Sequence, residues 1–350
     1  IEINGREGNG MFSSTKSNIS ITDVKKILKK HFPQEIVSDI SELTDGMFNR
    51  VYSITGSGAL SDGVILKLGT TPDIQVLSGE KNIMRTEIAV YQMLQETEVP
   101  LPKIYALCTD RTLVPCDYII MQKLSGVTWK SVQFDLPKEE TERLLVELGK
   151  MTAQINAVTG PHFGYINRRE DAWFPTWGEA YACLISESLS DAKEFGFDLP
   201  YEEIGKVTED NRVLLNEITV PALTDNDLFG NIFLTEKEHK IVGVVDFERA
   251  LYGDPYMDFA SCVTLFDNLD DAGGYISGYE AQIGHPLNIT AHDRKRLDLY
   301  FLQKAVLTYV EGYRYDEDFR PRVQGYMGMR IRTLLDRIEK DQYEEKKGNQ

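Results

Sequence analysis

The sequence lacks the patterns of secreted, membrane-inserted or thiolate-metal proteins. Its four cysteines lie far apart without a CxxC pair, and its five histidines show no HxxxH spacing, which excludes the usual disulfide framework and His/Cys metal site. No run approaches the ~20 apolar residues of a membrane helix, and no apolar signal-peptide core stands near the N-terminus. These absences predict a cytoplasmic protein with reduced thiols and no membrane partner.

Basic residues are also in deficit. Lysine and arginine total 38 against 55 aspartate and glutamate residues, so the formal net charge is −17. A nucleic-acid-binding protein usually carries a basic surface, so this balance argues against a nucleic-acid partner. The acidic excess is compatible with a cationic ligand, and equally with a surface kept soluble by self-repulsion. No feature of the sequence implies a protein partner.

The order of the predicted elements indicates an α+β protein in two parts. A length of 350 residues suggests two domains or one two-lobed unit at roughly 150 residues each. The first part reads as helix (20–32), two strands (50–55, 63–69), helix (80–97) and two more strands, which favours a small antiparallel sheet. After residue 137 the pattern is mainly helical, with helices expected at 138–158, 176–194, 201–217, in part of 257–283, at 292–312 and at 320–341. Two short strands, NIFLT and KIVGVVDF, are embedded in this part. The expected divisions are a cloning remnant and flexible start at 1–18, an N-lobe at 19–124, a C-lobe at 125–342 and a frayed tail at 343–350.

The densest cluster of chemically useful residues lies between 225 and 258. Asp246 ends the apolar strand IVGVV, where a carboxylate is poorly solvated on one side and needs a partner. Mg²⁺ is such a partner, because it takes a few carboxylate or amide oxygens and leaves its other positions to water and phosphate. The alternative is that these residues only form turns and helix caps, as Asp and Asn commonly do. The cluster consists of Asp225, Asp227, Asn231, Asp246, Glu248, Asp254 and Asp258.

A second candidate pair lies in the N-terminal sheet. Lys67 stands in the middle of the strand VILKLG, and a half-buried lysine is costly without an anion. Glu87 follows 20 residues later in a predicted helix, from which it could form an ion pair with Lys67. The alternative is a lysine whose stem lies along the surface while its ammonium group reaches water.

Together these residues follow the order that phosphoryl transfer by kinases requires, namely a strand Lys, a helix Glu, a catalytic-loop Asp, an Asn and a metal-binding Asp. The surrounding text resembles the aminoglycoside phosphotransferase and choline-kinase-like family. LTDGMFNRVYSIT resembles its nucleotide loop, YIIMQKLSGVTW its hinge, PALTDNDLFGNIFL its catalytic loop and IVGVVDFERALYGDPYMDFA its metal segment. The likeness runs from about residue 20 to 340. It implies a two-lobed protein-kinase-like fold with a small antiparallel-sheet N-lobe and a mainly helical C-lobe.

The resemblance implies a role for ten residues. Asp227 would accept or orient the proton of the substrate hydroxyl, and Asn231 and Asp246 would hold Mg²⁺. Lys67 would contact the α- and β-phosphates of ATP or GTP, and Glu87 would orient it. The remaining nucleotide contacts would be Gly46 and Asn49 over the phosphates, Met121 behind the adenine, and the backbone of Gln122 and Leu124 at the base.

The function implied by the resemblance is transfer of the γ-phosphate of ATP or GTP to a hydroxyl group. The acceptor would be a small molecule, aminoglycoside-like or another amine or sugar, and a cationic one suits the charge. Two departures from the family text leave an alternative, a nucleotide-binding pseudoenzyme of the same fold. Asp225 stands where the family loop has His, and Asp227 precedes Asn231 by four residues where the family has five.

Overall fold

The chain divides into two compact units, each built from separate stretches of sequence. The computed structural model describes residues 14–44, 46, 48–166, 173–262, 269–340 and 343, without the side chain of residue 270. The first unit contains the residues before Leu77, Pro102–Leu124 and Tyr313–Arg320. The second contains Leu77–Leu101, Ser125–Gly312 and the residues from Pro321 onward. The contiguous lobes at 19–124 and 125–342 stay a prediction, and most of the predicted terminal segments lies outside the described residues.

The first unit is built on a five-stranded antiparallel sheet with the strand order β1-β2-β3-β5-β4. The sequence predicts four of these strands and misses β1. Most residues of β1 (VSDISEL) are polar and exposed, and its apolar side chains are at most half-buried, as suits an edge strand. The strands are β1 Val37–Leu43, β2 Arg50–Gly56, β3 Val64–Leu68, β4 Ile104–Cys108 and β5 Tyr118–Gln122.

Helix α1, Ile21–His31, packs its apolar side chains into the core of this unit. Val24, Ile27 and Leu28 recur at helical spacing and are buried together with residues of β2 and β3. Ser20 caps the helix, since its hydroxyl accepts the backbone N–H of Asp23. Within the expected flexible start, Thr15 and Ser17 are buried, and the hydroxyl of Thr15 donates to the carbonyl of Phe48 at 3.1 Å.

The second unit is mainly helical and carries two small three-stranded sheets. The predicted hairpin is confirmed as β9 and β10, which pair antiparallel with β6 on the other side of β9. Strands β7, β11 and β8 form the other sheet. The strands are β6 Val127–Thr128, β7 Gly164–Tyr165, β8 Ala222–Thr224, β9 Ile232–Leu234, β10 Ile241–Val244 and β11 Leu251–Gly253.

The helices follow the predicted order with two differences, the first being a short helix at Trp129–Val132 that the sequence does not predict. The stretch predicted as one helix at 201–217 is two helices, because the chain breaks at Asn211. The helices after α1 are α2 Ile83–Leu94, α3 Trp129–Val132, α4 Lys138–Asn156, α5 Trp177–Glu194, α6 Tyr201–Asp210, α7 Arg212–Leu215, α8 Tyr256–Ser261, α9 Gly273–Ile283, α10 Ala291–Val310 and α11 Arg320–Lys340. The fold class is therefore α+β, as predicted. None of the helices in the described part combines the length and apolar character that crossing a bilayer requires.

A buried polar network joins α5, α8 and α10. The carboxylate of Asp254 accepts hydrogen bonds from Arg296 Nε at 3.1 Å, from the Tyr300 hydroxyl at 2.6 Å and from the backbone N–H of Tyr256 at 3.0 Å. The Tyr300 hydroxyl in turn accepts the indole N–H of Trp177 at 2.9 Å. A buried carboxylate with this many donors is satisfied, so the network can fix three helices relative to the segment that follows Asp246.

Candidate active site

The predicted catalytic loop lies between β8 and β9 and is fixed on two sides. Asn226 adopts a left-handed conformation with φ of 64°, which Asn tolerates better than most residues. Its backbone N–H donates to Asp258 Oδ1 at 2.7 Å, and its carbonyl accepts Lys304 Nζ at 3.0 Å. The loop then closes in a 3₁₀ turn at Phe229–Asn231, which leads directly into β9.

Asp227 lies between two cations and stays accessible. Its Oδ2 is 3.8 Å from Arg249 Nε and its Oδ1 is 3.9 Å from Lys304 Nζ, while 49% of the side chain is exposed. Loss of solvent around the carboxylate raises the pKa of Asp227, and the charges of Lys304 and Arg249 oppose that rise. The residue thus combines access for a substrate with the ability to accept a proton.

Two of the groups around Asp227 carry no assigned role in the sequence-based prediction. Arg249 is held by Glu311, whose Oε1 lies 2.5 Å from Arg249 Nη2. Lys304 lies on α10, 77 residues from Asp227 along the chain. In the sequence it looks like an ordinary solvated lysine on a helix. Nothing local in the sequence indicates that Lys304 approaches the catalytic loop.

The two predicted metal ligands lie at adjacent ends of one hairpin. Residues Ile232 and Val244 are paired in the β9–β10 register, and the N–H of Val245 donates to the Asn231 carbonyl at 3.1 Å. Asp246 follows with φ of 70°, a left-handed conformation. The side-chain amide of Asn231 donates to the Asp227 carbonyl at 2.9 Å, which leaves its Oδ1 as the atom for a cation.

Asp246 also belongs to a trio of carboxylates. One oxygen each from Glu87, Asp246 and Glu248 lies within 4.8 Å of the others, and Glu87 and Glu248 are buried. Hard oxygen donors grouped in this way suit Mg²⁺, whereas they would repel one another without a cation. The donor set therefore fits the implied metal. The trio shares only Asp246 with the predicted pair, and it places Glu87 beside the metal segment.

The remaining predicted nucleotide residues belong to the first unit. Lys67 is buried on β3, opposite Val51 of β2 and Ile119 of β5. Its pairing with Glu87, which belongs to the second unit, stays a prediction. Asn49 is also buried. The roles of Gly46, Asn49 and Leu124 are likewise untested.

The predicted base contacts lie at the end of β5. Met121 is buried and Gln122 is exposed. The backbone N–H of Gln122 donates to the Lys103 carbonyl at 2.8 Å. A contact from Gln122 to a base would therefore have to use its backbone carbonyl, because the N–H is already engaged.

Asp225, the residue in the usual His position, is completely buried. Neither of its carboxylate oxygens has a hydrogen-bond partner within the described part of the chain. Burial, followed by the nearby charge of Asp258, raises the pKa of Asp225 well above its ordinary value. A neutral carboxylic acid here would not repel Asp227 two residues away, so the substitution is compatible with an ionised catalytic carboxylate.

Asp258 supports the loop from α8. Besides the Asn226 N–H, it accepts the side-chain amide of Asn156 at 2.8 Å through Oδ2. We expect Asp258→Ala to lower kcat about tenfold and to destabilise the fold, because each buried donor left without an acceptor costs about 1–3 kcal/mol. Steady-state kinetics and thermal unfolding test this. Asp258→Asn, which keeps an oxygen for the Asn226 N–H, is the control and should retain most activity, and an Asp258→Ala protein with unchanged kcat and melting temperature would contradict the role.

Asp258 should also make stability depend on pH. Burial raises the pKa of Asp258 from 3.8 to about 6. Between these values the folded state binds more protons than the unfolded state, so this contribution to stability is full below pH 3.8 and is lost as the pH rises through 6. The difference in unfolding free energy between the wild type and Asp258→Asn should shift across this window in denaturant titrations. A constant difference from pH 4 to 7 would contradict the assignment.

The small antiparallel sheet, the mainly helical second unit and the Asp227–Asn231–Asp246 arrangement define a protein-kinase-like fold of the phosphotransferase class. Residues 39–287 match the model of the Phosphotransferase enzyme family (APH), and the chain belongs to that family. Solved structures agree on the fold. A candidate aminoglycoside phosphotransferase from Ralstonia eutropha JMP134 superposes with a TM-score of 0.63 at 14% identity, covering 95% of this chain and 99% of its own.

Two further relatives were solved with ligands. The aminoglycoside phosphotransferase APH(4)-Ia, in complex with ADP and hygromycin B, matches with a TM-score of 0.60 at 18% identity and covers 90% of this chain and 98% of its own. The streptomycin–ATP complex of APH(2")-IIa matches with a TM-score of 0.60 at 14% identity, covering 91% of this chain and 99% of its own. At these identities the likeness shows the fold.

Matches to curated proteins cover only part of those proteins. The probable acyl-CoA dehydrogenase IBR3 of Arabidopsis thaliana is 23% identical over an alignment of 267 positions that covers 69% of this chain and 30% of that protein. A subtelomeric hrmA-associated cluster protein of Aspergillus fumigatus is 22% identical over 140 residues, which is 39% of this chain and 26% of that protein. The chain thus spans less than a third of the curated relatives it matches.

Proposed function

We propose that the protein is a small-molecule kinase that transfers the γ-phosphate of ATP or GTP to a hydroxyl group. The observation that carries the proposal is the half-exposed Asp227 between Arg249 and Lys304, next to the hairpin end that bears Asn231 and Asp246. Phosphoryl transfer depends mainly on positioning and on charge stabilisation. A carboxylate that faces solvent beside a set of metal ligands provides both.

Each residue has a definite task in this proposal. Asp227 orients the acceptor hydroxyl and accepts its proton, while Arg249 and Lys304 hold the carboxylate in place. Asn231 and Asp246 hold Mg²⁺, which when bound would neutralise the charge of the phosphates. The nucleotide would be held by Lys67 with Glu87 and by the residues predicted for the phosphates and the base. Family membership and the ADP and ATP in the complexes of similar structures support a nucleotide donor.

The acceptor is proposed to be an aminoglycoside-like compound or another amine or sugar. The carboxylates near Asp227, namely Asp246 and Glu311, favour a cationic molecule over an anionic one. Hygromycin B and streptomycin are the compounds bound by the similar structures. All four cysteines are thiols, which is compatible with the proposed cytoplasmic location.

A nucleotide-binding pseudoenzyme is the second candidate, favoured by Asp225 in the usual His position and by the short loop. The local geometry argues for a working variant. The short loop ends in an ordered 3₁₀ turn at Phe229–Asn231, and the Asn231 amide donates to the Asp227 carbonyl at 2.9 Å. The buried Asp225 can act as a neutral group, for the reasons given above.

Turnover across a panel of acceptors separates the two candidates. The protein would be incubated with Mg·ATP or Mg·GTP and with aminoglycosides, amino alcohols or sugars, and the nucleoside diphosphate and the phosphorylated product would be measured. We expect diphosphate release that depends on the acceptor, with a matching product mass increase. Reactions without acceptor are the control. Nucleotide binding in a thermal-shift assay without turnover on any acceptor would favour the pseudoenzyme.

A further inference from the structure

The second unit contains a pocket directly beside the catalytic loop. One wall is formed by Asn226, Glu248 and Arg249. Arg249 connects this wall to Asp227, since its Nε lies 3.8 Å from Asp227 Oδ2. Asn226, which precedes Asp227 in the chain, and Arg249 line the pocket while Asp227 itself does not, so an acceptor in this pocket would reach Asp227 past Arg249.

Another part of the pocket lining is a short segment that precedes α2. We call residues 77–82 the strap, and Gly79, Glu80 and Lys81 of the strap line the pocket. The strap is folded by its own hydrogen bonds, because Glu80 Oε2 accepts the N–H of Leu77 at 3.0 Å and the Leu77 carbonyl accepts the N–H of Glu80 at 2.9 Å. Leu77 and Glu80 are both buried. The strap is thus an ordered turn held by internal hydrogen bonds and by burial of two of its side chains.

Asp191 of α5 binds the strap with two hydrogen bonds. Its Oδ2 accepts the backbone N–H of Ser78 at 2.8 Å and its Oδ1 accepts the Ser78 hydroxyl at 2.8 Å. Asp191 is buried, and within the described residues Ser78 supplies both bonds to its carboxylate. Hydrogen bonds to an ionised acceptor are about twice as strong as neutral ones, so Asp191 provides a strong polar connection between the strap and α5.

The strap also lies close against the wall formed by β7. A Cβ atom on Gly79 would come within 2.7 Å of the Tyr165 hydroxyl, closer than side chains approach one another. A larger residue at this position would require the Tyr165 hydroxyl, at the end of its side chain, to shift. The strap therefore lies close to Tyr165 where both line the pocket.

The pocket, which is partly open to solvent, is small in this structure. The pocket leaves about 40 Å³ for the centres of water-sized spheres. A cavity that holds benzene measures about 150 Å³ on the same kind of scale. An amino alcohol or a single hydroxymethyl group could approach Asp227 from this pocket, whereas the rings of an aminoglycoside could not enter it until the strap had moved.

We propose that the strap closes the acceptor pocket, that Asp191 is the residue that latches it, and that the acceptors are compact hydroxylated molecules of amino-alcohol size. The inference rests on the proposed function, since it assigns the acceptor of the same site. Asp191 acts through the strap, so it is a positioning residue and does not itself contact the reacting atoms.

Hydrogen exchange tests the latch without any acceptor. In Asp191→Ala we expect the amides of residues 77–82 to exchange about tenfold faster or more, the effect of losing one or two charge-assisted hydrogen bonds. Glu194→Gln, which removes the same charge from an exposed position of α5, is the control and should leave this exchange unchanged. Ser78→Ala, which removes only the hydroxyl hydrogen bond, should accelerate the exchange of these amides to a smaller extent. It provides the test if Asp191→Ala does not fold. Unchanged exchange in both variants would overturn the latch.

Kinetics with two acceptors test the size limit. The wild type should phosphorylate ethanolamine in preference to hygromycin B. In Asp191→Ala we expect the KM for ethanolamine to rise about tenfold with kcat changed less than twofold, because the pocket loses a wall while Asp227 stays in place. Preferential turnover of hygromycin B by the wild type would overturn the assignment of compact acceptors. If no acceptor were turned over, the proposed function would fail, and hydrogen exchange would still decide whether Asp191 holds the strap.

Discussion

Asp227→Asn is expected to lower kcat for phosphoryl transfer by about 100- to 10,000-fold, the range that general-base catalysis contributes. The amide has the size of the carboxylate but cannot accept the proton of the acceptor hydroxyl. It also leaves Arg249 and Lys304 without their shared anion. Nucleotide affinity should change little, because this side chain faces the acceptor in the proposed function. Steady-state kinetics and isothermal titration with Mg·ATP measure the two quantities.

The matched control for this prediction is Asp210→Asn on α6. Asp210 is an exposed carboxylate on α6, outside the catalytic loop, and is paired with Lys206 at 2.7 Å. It should retain wild-type kcat, since exposed pairs contribute little. If Asp227→Asn retained wild-type kcat, Asp227 would not be the proton acceptor.

Asp246→Asn is expected to lower kcat/KM by about 100-fold or more, the effect of losing several kcal/mol of charge stabilisation by a correctly held metal ion. Asn tolerates the left-handed backbone at this position, so the variant tests the carboxylate charge and leaves the local geometry in place. The Mg²⁺ concentration for half-maximal nucleotide binding should rise in parallel. Titration of nucleotide binding with Mg²⁺ measures this, and an unchanged midpoint would remove Asp246 from the metal site.

Two further variants identify the other metal ligands. If Asn231 and Asp246 form the site, Asn231→Ala should shift the Mg²⁺ midpoint while Glu248→Gln should leave it almost unchanged. If the carboxylate trio forms the site, Glu248→Gln should produce the larger shift. Asn231 and Glu248 both lie close to Asp246. The relative shifts of the Mg²⁺ midpoint in the two variants therefore report which side-chain oxygens bind the ion.

Local patterns predicted most of the fold, and the failures have physical reasons. Helix α1 and the strands β2 and β3 are short, amphipathic or apolar segments with clear boundaries. The spacing of their apolar residues is therefore enough to predict them. Strand β1 was not predicted, because an edge strand can be polar over most of its length and then lacks an apolar pattern. The break between α6 and α7 was not predicted. At this point the Asn211 side chain donates to the Val207 carbonyl at 2.8 Å, a local contact that the spacing of apolar residues does not reveal.

The site was predictable where its residues are close in sequence. Asn231 and Asp246 stand at the ends of a hairpin that the sequence predicts, so their proximity follows from strand pairing. Lys304 and Asp191 depend on how α10 and α5 pack, and each looks like an ordinary charged residue on a helix. The roles of Lys67 and the other nucleotide residues stay predictions, because they depend on a ligand.

Three left-handed residues that are not glycine border the pocket and the metal segment, namely Asn82 with φ of 61°, Asn226 and Asp246. All three are Asn or Asp, the types that visit this conformation at low cost. Alanine at any of them would add roughly 1–2 kcal/mol of backbone strain to whatever the lost side chain did. Alanine scanning would therefore overstate the chemical importance of Asn82 and Asn226, whereas Asn-to-Gly exchanges would separate the contribution of the side chain from that of the backbone.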